Sequence, residues 1–142
     1  GGCLRLVADF VFCWGYGDHL VLHRVVRRQR QMCIRDRYTG DTALDLPRMQ
    51  PLLDLRPDVL LVCINGRFGN LDAGEAAELA GIVSPRVVVP CHFWMFKEHN
   101  GDPEAFVQAC ARKCPGVSVR LLAPGEGFSC SDEAIAPVVA EP

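Results

Sequence analysis

The chain has 142 residues, a hydrophobic content of 49%, a charged content of 23% and a formal net charge of −2. These values predict a soluble globular domain and exclude a long-range electrostatic attraction to nucleic acid or to an anionic membrane. No apolar run approaches the roughly 20 residues that span a bilayer. The eight cysteines have no Cys-x-x-Cys spacing, so we expect buried thiols in a reducing cytoplasm.

Residues 1–37 lack the regular alternation of elements that follows them. The segment 24–37 is rich in arginine, which is typical of a nucleic-acid patch or of a solvated segment. Residues 31–37, Gln-Met-Cys-Ile-Arg-Asp-Arg, match the in-frame translation of a transposase mosaic-end adapter used in sequencing libraries. We therefore predict that residues 1–37 are an assembly artefact joined to a gene fragment that starts near Tyr38.

The next residues alternate between strand and helix patterns. Residues 38–42, Tyr-Thr-Gly-Asp-Thr, are typical of a strand end and its turn. Pro47 suits the first turn of a helix, and Arg-Pro-Asp at residues 56–58 ends one. These two signals predict a helix over residues 47–55. The continuous apolar run 59–64 predicts a buried, parallel strand.

A second helix and a further strand follow a glycine-containing loop at residues 65–70. Asp72 and Glu75 form a capping-box pattern, which starts a helix that should stop at Gly81 or just past it. The apolar run 87–89 predicts another buried strand that ends at a proline.

The last part of the chain repeats this alternation. The loop 91–101 precedes Asp102, which can cap a helix that ends near residues 114–116. A strand is predicted over 117–122, and residues 129–142 read as a loose tail. We therefore predict one α/β domain over residues 38–128.

Strand–helix–strand order implies right-handed crossovers, so the loops after Gly40, Ile64 and Pro90 should converge on one sheet edge. This places two candidate metal ligands, Asp41 and His92, together. Carboxylate oxygen and imidazole nitrogen suit zinc, manganese or iron, but a catalytic zinc usually has three protein ligands and a water.

Each candidate also has a structural alternative. Asp41 is equally typical of a turn or helix cap, and His92 of a loop histidine bonded to carbonyls. Arg67 is suited to bind a carboxylate or phosphate through two parallel hydrogen bonds, and its structural alternative is a solvent-facing loop charge. The i, i+4 pair Cys110 and Cys114 could bind metal, although buried free cysteine on a helix is common.

Four strings in this order and spacing resemble metallo-β-lactamase-fold hydrolases, and most closely their ascorbate-6-phosphate lactonase-like branch. They are residues 38–42, 57–61 (Pro-Asp-Val-Leu-Leu), 64–70 (Ile-Asn-Gly-Arg-Phe-Gly-Asn) and 87–96 (Val-Val-Val-Pro-Cys-His-Phe-Trp-Met-Phe). The resemblance covers about two-thirds of the chain. It implies the C-terminal half of a four-layer αβ/βα sandwich.

The resemblance also implies roles for individual residues. Asp41 would bridge two metal ions, zinc or manganese, and His92 would bind one of them. A metal-bridging hydroxide would attack a lactone or ester carbonyl. Asn65, Arg67 and Asn70 would contact a small-molecule substrate, with Arg67 suited to an anionic or phosphorylated group.

The resemblance is incomplete, because the family's His-x-His-x-Asp-His string is absent and Gly-Asp-His at residues 17–19 does not replace it. We therefore expect a fragment of a cytoplasmic metal-dependent hydrolase that is inactive by itself. The alternative is a non-catalytic truncated fragment. We expect neither a nucleic-acid nor a membrane partner, and the oligomeric state is left open.

Overall fold

A computed structural model describes residues 4–7, 36–94, 97–98, 101–124, 126–130 and 135–138 of the chain. In chain order, its elements are β1 (Leu4–Val7), β2 (Asp36–Tyr38), α1 (Leu46–Leu55), β3 (Val59–Cys63), α2 (Ala73–Val83), β4 (Val87–Cys91), α3 (Pro103–Lys113), β5 (Ser118–Val119), β6 (Gly127–Cys130) and β7 (Ile135–Val138). One compact unit spans residues 36–121. It contains a parallel sheet in the order β2-β3-β4-β5, so the predicted α/β class is confirmed.

The two central strands are β3 and β4, and every residue of both is buried. Pro90 lies inside β4 opposite Val62, although the sequence predicted that the strand would end there. Val88 accepts a hydrogen bond from the Arg120 N–H, so the main-chain polar groups of Val88 point toward β5. The main-chain groups of every second residue in a strand point to the same side. Pro90 therefore faces the β5 side beyond Val119, where β5 has ended, and its missing N–H breaks no ladder bond between described strands.

Aspartate caps start the helices, as the sequence predicted for α2 and α3. Asp72 Oδ1 accepts from the Glu75 N–H at 2.8 Å, and Glu75 Oε2 accepts from the Asp72 N–H at 3.1 Å. Asp102 Oδ1 accepts from the Ala105 N–H at 3.0 Å, and Asp45 caps α1 in the same way. These bonds satisfy main-chain donors that have no partner inside a helix.

Gly81 explains why α2 and α3 approach closely. A Cβ at Gly81 would lie 3.3 Å from the Lys113 carbonyl oxygen and 3.7 Å from Cys114 Cβ. The helix passes through Gly81 and ends at Val83, with Ser84 as its C-cap, just past Gly81, as predicted. The core of this unit joins three helices to one face of the sheet and includes Met49, Leu60, Val62, Leu71, Leu79, Val88 and Phe106.

A second compact unit contains the described parts of residues 1–35 and 122–142. Strand β6 pairs antiparallel with β1 and with β7. The sequence predicted a loose tail from residue 129, whereas the structure places residues 129–130 in β6 and Ile135–Val138 in β7. The strand predicted over 117–122 is shortened to Ser118–Val119, and the unit boundary falls at residue 121.

Most of the predicted artefact lies outside the described residues, including the basic run 24–30 and residues 31–35 of the adapter-like string. Residues 4–7 and 36–37 are described, and they take part in β1 and β2. The origin of residues 1–37 stays a prediction. Within the described residues, no helix is long and apolar enough to cross a membrane.

Removing the cap of α2 should destabilise the chain more than removing the cap of α3. Asp72→Ala removes the bond that Asp72 Oδ1 accepts from the Glu75 N–H and leaves Glu75 Oε2 alone to bind the N–H of residue 72, so we expect a loss of about 1–2 kcal/mol, against about 1 kcal/mol for Asp102→Ala. Asp54→Ala is the control, because Asp54 lies in the last turn of α1, where a carboxylate opposes the helix dipole. Urea unfolding measures all three variants, and equal losses for Asp72→Ala and Asp54→Ala would contradict the prediction.

Candidate metal centre

The carboxyl edge of the sheet, where β2, β3 and β4 end, positions Asp41. The segment after β2 is held against β3 by a hydrogen bond from the Thr39 N–H to the Leu61 oxygen at 3.0 Å. The Cys63 N–H donates to Thr39 Oγ1 at 3.4 Å. Gly40 then turns the chain with a φ of 65°, a conformation that glycine adopts without strain. Asp41 is therefore held at the end of the sheet rather than along its side.

His92 directly follows β4, at the same carboxyl edge. The Ile64 N–H donates to the Cys91 oxygen at 3.1 Å, which continues the β3–β4 pairing up to His92. The backbone of His92 has a φ of 61°, a region that non-glycine residues seldom adopt. This left-handed residue ends the strand and turns the chain into the next loop.

The two candidate ligands are in contact. His92 Nδ1 lies 2.8 Å from Asp41 Oδ1, with 15% of the His92 side chain and 60% of the Asp41 side chain exposed. At this distance a protonated imidazole would make an ion pair with the carboxylate. The structure therefore brings together the two residues that the sequence selected.

The pair also has donor atoms that suit a metal ion. An imidazole nitrogen and a carboxylate oxygen are donors that would hold zinc or manganese. However, the described residues contain no group of three or more histidine, cysteine, aspartate or glutamate side chains arranged for a metal. Asp41 and His92 thus fit part of a metal site in donor type.

Two thiols lie beneath this pair, at paired positions of β3 and β4. Burial raises the pKa of the Cys63 thiol, and the nearby Asp41 carboxylate adds to the rise while backbone hydrogen bonds oppose it. Burial also raises the pKa of the Cys91 thiol, with smaller contributions from Cys63 and Asp41. Burial therefore favours the neutral thiol at both positions.

The other cysteine pair lies in the helix interface. Cys110 and Cys114 are both buried in the core of the larger unit. Burial raises the pKa of Cys110 to about 12, with the neighbouring Cys114 contributing. These properties agree with the packing alternative rather than with a metal-binding pair.

The three predicted substrate residues occupy different environments. Asn65 is fully buried and lines a cleft of about 360 Å³ with the N-terminal residues of α2. Arg67 is exposed, and Asn70 is half-buried with its N–H bonded to the Arg67 oxygen at 3.0 Å. Arg67 is thus the one of the three that presents its side chain to solvent, and the binding role of all three stays a prediction.

The sequence did not reveal the structural role of Thr39 or the exposure of two aromatic side chains at this edge. Thr39 Oγ1 joins β2 to β3, and its hydroxyl also donates to the Gly40 oxygen at 3.0 Å. Phe68 and Trp94 are 79% and 75% exposed. Their position in the Asn-Gly-Arg-Phe-Gly-Asn and His-Phe-Trp strings was visible, but their backbone conformation was not.

Comparison with known proteins identifies the class of protein that this chain resembles. The chain is 34% identical over 91 residues to a UPF0173 metal-dependent hydrolase of Aeropyrum pernix, a match that covers 64% of this chain and 37% of that protein. It is 42% identical over 90 residues to a UPF0173 metal-dependent hydrolase of Anaeromyxobacter sp., covering 63% and 31%. The chain thus spans about a third of the length of these relatives. No family model matches it.

Solved structures agree with this class. A metallo hydrolase from Ignicoccus hospitalis superposes with a TM-score of 0.57 and 32% identity, covering 65% of this chain and 39% of that chain. The metallo-β-lactamase-fold protein YhfI of Bacillus subtilis superposes with a TM-score of 0.53 at 14% identity, covering 69% and 41%, and shows a likeness of fold. This mixed α/β chain is therefore similar, over about two-thirds of its length, to metal-dependent hydrolases of the metallo-β-lactamase fold.

Proposed function

We propose that this chain carries part of the active site of a cytoplasmic metal-dependent hydrolase that opens a lactone or related ester. The observation that supports this most strongly is the 2.8 Å contact between Asp41 Oδ1 and His92 Nδ1 at the carboxyl edge of the sheet. Parallel α/β sheets hold their chemistry at this edge. The similarity to UPF0173 metal-dependent hydrolases supports the same class of reaction.

The proposed fold is the C-terminal half of a four-layer αβ/βα sandwich. The chain spans about a third of its relatives, and the Asp41–His92 pair supplies fewer donors than a catalytic site needs. In the complete site, zinc or manganese would act as a Lewis acid and lower the pKa of a bound water. We propose a dinuclear centre in which Asp41 is shared between the metals.

The residues of this chain would hold and orient the reactants. Asp41 would supply a carboxylate oxygen and negative charge, and the mostly buried His92 would supply a nitrogen from a fixed direction. The Thr39 hydrogen bonds to β3 restrain the segment that carries Asp41. Arg67, in the loop after β3, would receive an anionic or phosphorylated group of a small-molecule substrate.

A second candidate function, a non-catalytic fragment, is favoured by the absence of a third suitable ligand group among the described residues. Such a chain would bind metal weakly through Asp41 and His92 and would not turn over substrate. The two functions share the metal contact and differ in catalysis. They are therefore separable by measuring binding and hydrolysis on the same preparation.

Calorimetric titration of the 142-residue chain with ZnCl₂ and MnCl₂ tests the site. We expect saturable binding, weakened at least about tenfold in Asp41→Asn and in His92→Gln, because each variant removes one of two ligands. Asp54→Asn, which changes an exposed carboxylate on α1, should bind as the wild type does. Wild-type affinity in both Asp41→Asn and His92→Gln would contradict the proposal.

Hydrolysis then separates the two functions. The longer protein of which this chain is proposed to be a part is loaded with metal, beside the 142-residue chain, and both are incubated with a sugar-phosphate lactone and with a simple aryl ester. Turnover by the longer protein that disappears in Asp41→Asn and His92→Gln would support the hydrolase, whereas metal binding without turnover in both proteins would support the non-catalytic fragment.

A further inference from the structure

Phe68 occupies a turn position that its side chain disfavours. The Asn70 N–H donates to the Arg67 oxygen at 3.0 Å and closes a turn over residues 67–70. The central residues Phe68 and Gly69 have φ values of 57° and 82°, the pattern of a type I′ turn. Glycine, asparagine and aspartate dominate these positions, and a bulky residue there is an outlier. Local backbone physics therefore does not explain a phenylalanine at this position.

Trp94, like Phe68, has a left-handed backbone and an exposed aromatic side chain. Its φ is 57° and its side chain is 75% exposed, while Phe68 is 79% exposed. The rings of Phe93 and Trp94 meet edge to face, with centroids 5.3 Å apart and planes at 83°. Left-handed strain in bulky residues clusters at active sites and ligand clamps. Neither core packing nor local conformational preference accounts for these two exposed aromatic residues.

Both residues lie at the carboxyl edge that carries Asp41 and His92. Phe68 follows β3 and Trp94 follows β4, the paired central strands. The loop after β4 is held near the end of β3, because a Cβ at Gly101 would lie 2.5 Å from Phe93 Cβ and 3.1 Å from the Ile64 oxygen. Phe68 and Trp94 therefore belong to the two segments that follow neighbouring strands, at the edge of the sheet that also carries Asp41 and His92.

We infer that Phe68 and Trp94 bind a planar aromatic ring of the substrate, next to the Asp41–His92 pair. Aromatic rings prefer other rings over saturated groups of equal size, through offset and edge-to-face contacts. Two side chains expose too little area for a stable protein partner, which covers about 800 Å² on each side, but enough for one ring system. The inference rests on the proposed function, because that function places the reactive bond of the substrate at the Asp41–His92 pair. Binding of the ring by itself requires neither a metal nor turnover.

A pair of matched ligands tests the inference on the full 142-residue chain without metal. Ligand-observed NMR titration compares 2-naphthamide with decahydro-2-naphthamide, which has the same polar group on a saturated skeleton. We expect the aromatic ligand to bind about three- to tenfold more tightly. Phe68→Leu and Trp94→Leu should each remove most of this preference. Ile82→Ala, which changes an exposed apolar side chain at the far end of α2, should retain it.

A stability measurement separates ligand binding from a structural role. Phe68→Asn places a favoured residue in the left-handed turn, so its urea midpoint should rise while its affinity for 2-naphthamide falls. A structural role for Phe68 predicts that the midpoint would fall instead.

Several results would overturn the inference. They are equal affinity for the two ligands, no binding of 2-naphthamide at millimolar concentration, or wild-type affinity in both Phe68→Leu and Trp94→Leu. Failure of the proposed function has a different signature, because metal binding would then be insensitive to Asp41→Asn and His92→Gln while ring preference persisted.

Discussion

Replacement of Asn65 by aspartate is expected to destabilise the chain by about 3–5 kcal/mol at neutral pH, the range for a buried charge without a partner. Asn65 is fully buried, and neither Nδ2 nor Oδ1 has a hydrogen-bond partner within the described part of the chain. A carboxylate there would lack both water and a counter-charge. Burial would therefore raise the pKa of the new carboxyl above its value in the unfolded chain.

The sign of the pH dependence follows from proton binding. With a raised pKa, the folded Asn65→Asp variant binds more protons than its unfolded state, so its free energy of unfolding falls as the pH rises. The deficit relative to wild type should be smallest near the unfolded pKa of about 4 and should grow toward neutral pH. Urea unfolding at several pH values between about 4.5 and 7.5 measures this difference.

Asn65→Leu is the matched control, because it removes the unpaired amide and keeps the same branching and number of heavy atoms in the side chain. Replacing an unsatisfied buried polar group by an apolar one should be neutral or should stabilise by up to about 2 kcal/mol, at every pH. A strong loss of stability in Asn65→Leu would show that the amide has a binding partner in solution. A pH-independent deficit in Asn65→Asp would contradict the buried-carboxylate argument.

Gly101→Ala is expected to cost about 3 kcal/mol, at the upper end of the range for overpacking. Gly101 is buried, and an added Cβ would lie 2.5 Å from Phe93 Cβ and 3.1 Å from both Phe93 Cα and the Ile64 oxygen. These are backbone atoms or a Cβ tied to the backbone, so side-chain rotation cannot relieve the contact. The loop after β4 must move, and His92 belongs to that loop.

Gly116→Ala provides the comparison, because a Cβ at Gly116 would meet no atom within 4 Å. It should change the free energy of unfolding by less than about 1 kcal/mol, and in the stabilising direction if only the unfolded state is affected. Urea unfolding compares the two variants, and calorimetric zinc titration reports whether His92 has moved. Equal stability of Gly101→Ala and Gly116→Ala would show that the loop adapts without strain.

The helix starts were predictable because they depend on neighbours in the sequence. A capping box needs only an aspartate and a glutamate three residues apart, and both hydrogen bonds of the Asp72–Glu75 pair are present. The buried strands β3 and β4 were likewise predictable from continuous apolar runs. Pro90 was not, because its tolerance in β4 depends on where the neighbouring β5 ends.

The strands near the end of the chain were also beyond local reasoning. Strand β7 pairs with the nearby β6, and β6 pairs in turn with β1, whose residues are distant in sequence. A short segment without a clear period is extended only when a partner strand is available. The predicted tail therefore became partly strand through pairing.

At the candidate metal centre, the sequence by itself determined the donor types and the sheet edge, since an aspartate and a histidine follow apolar strand patterns. Only the tertiary structure decided that Asp41 Oδ1 and His92 Nδ1 lie 2.8 Å apart. That distance depends on one long-range and one local feature of the folded chain: the pairing of β2 and β4 with β3, and the left-handed backbone at His92. Residue order carries chemical identity, whereas distances between remote side chains arise from packing and backbone conformation of the whole sheet.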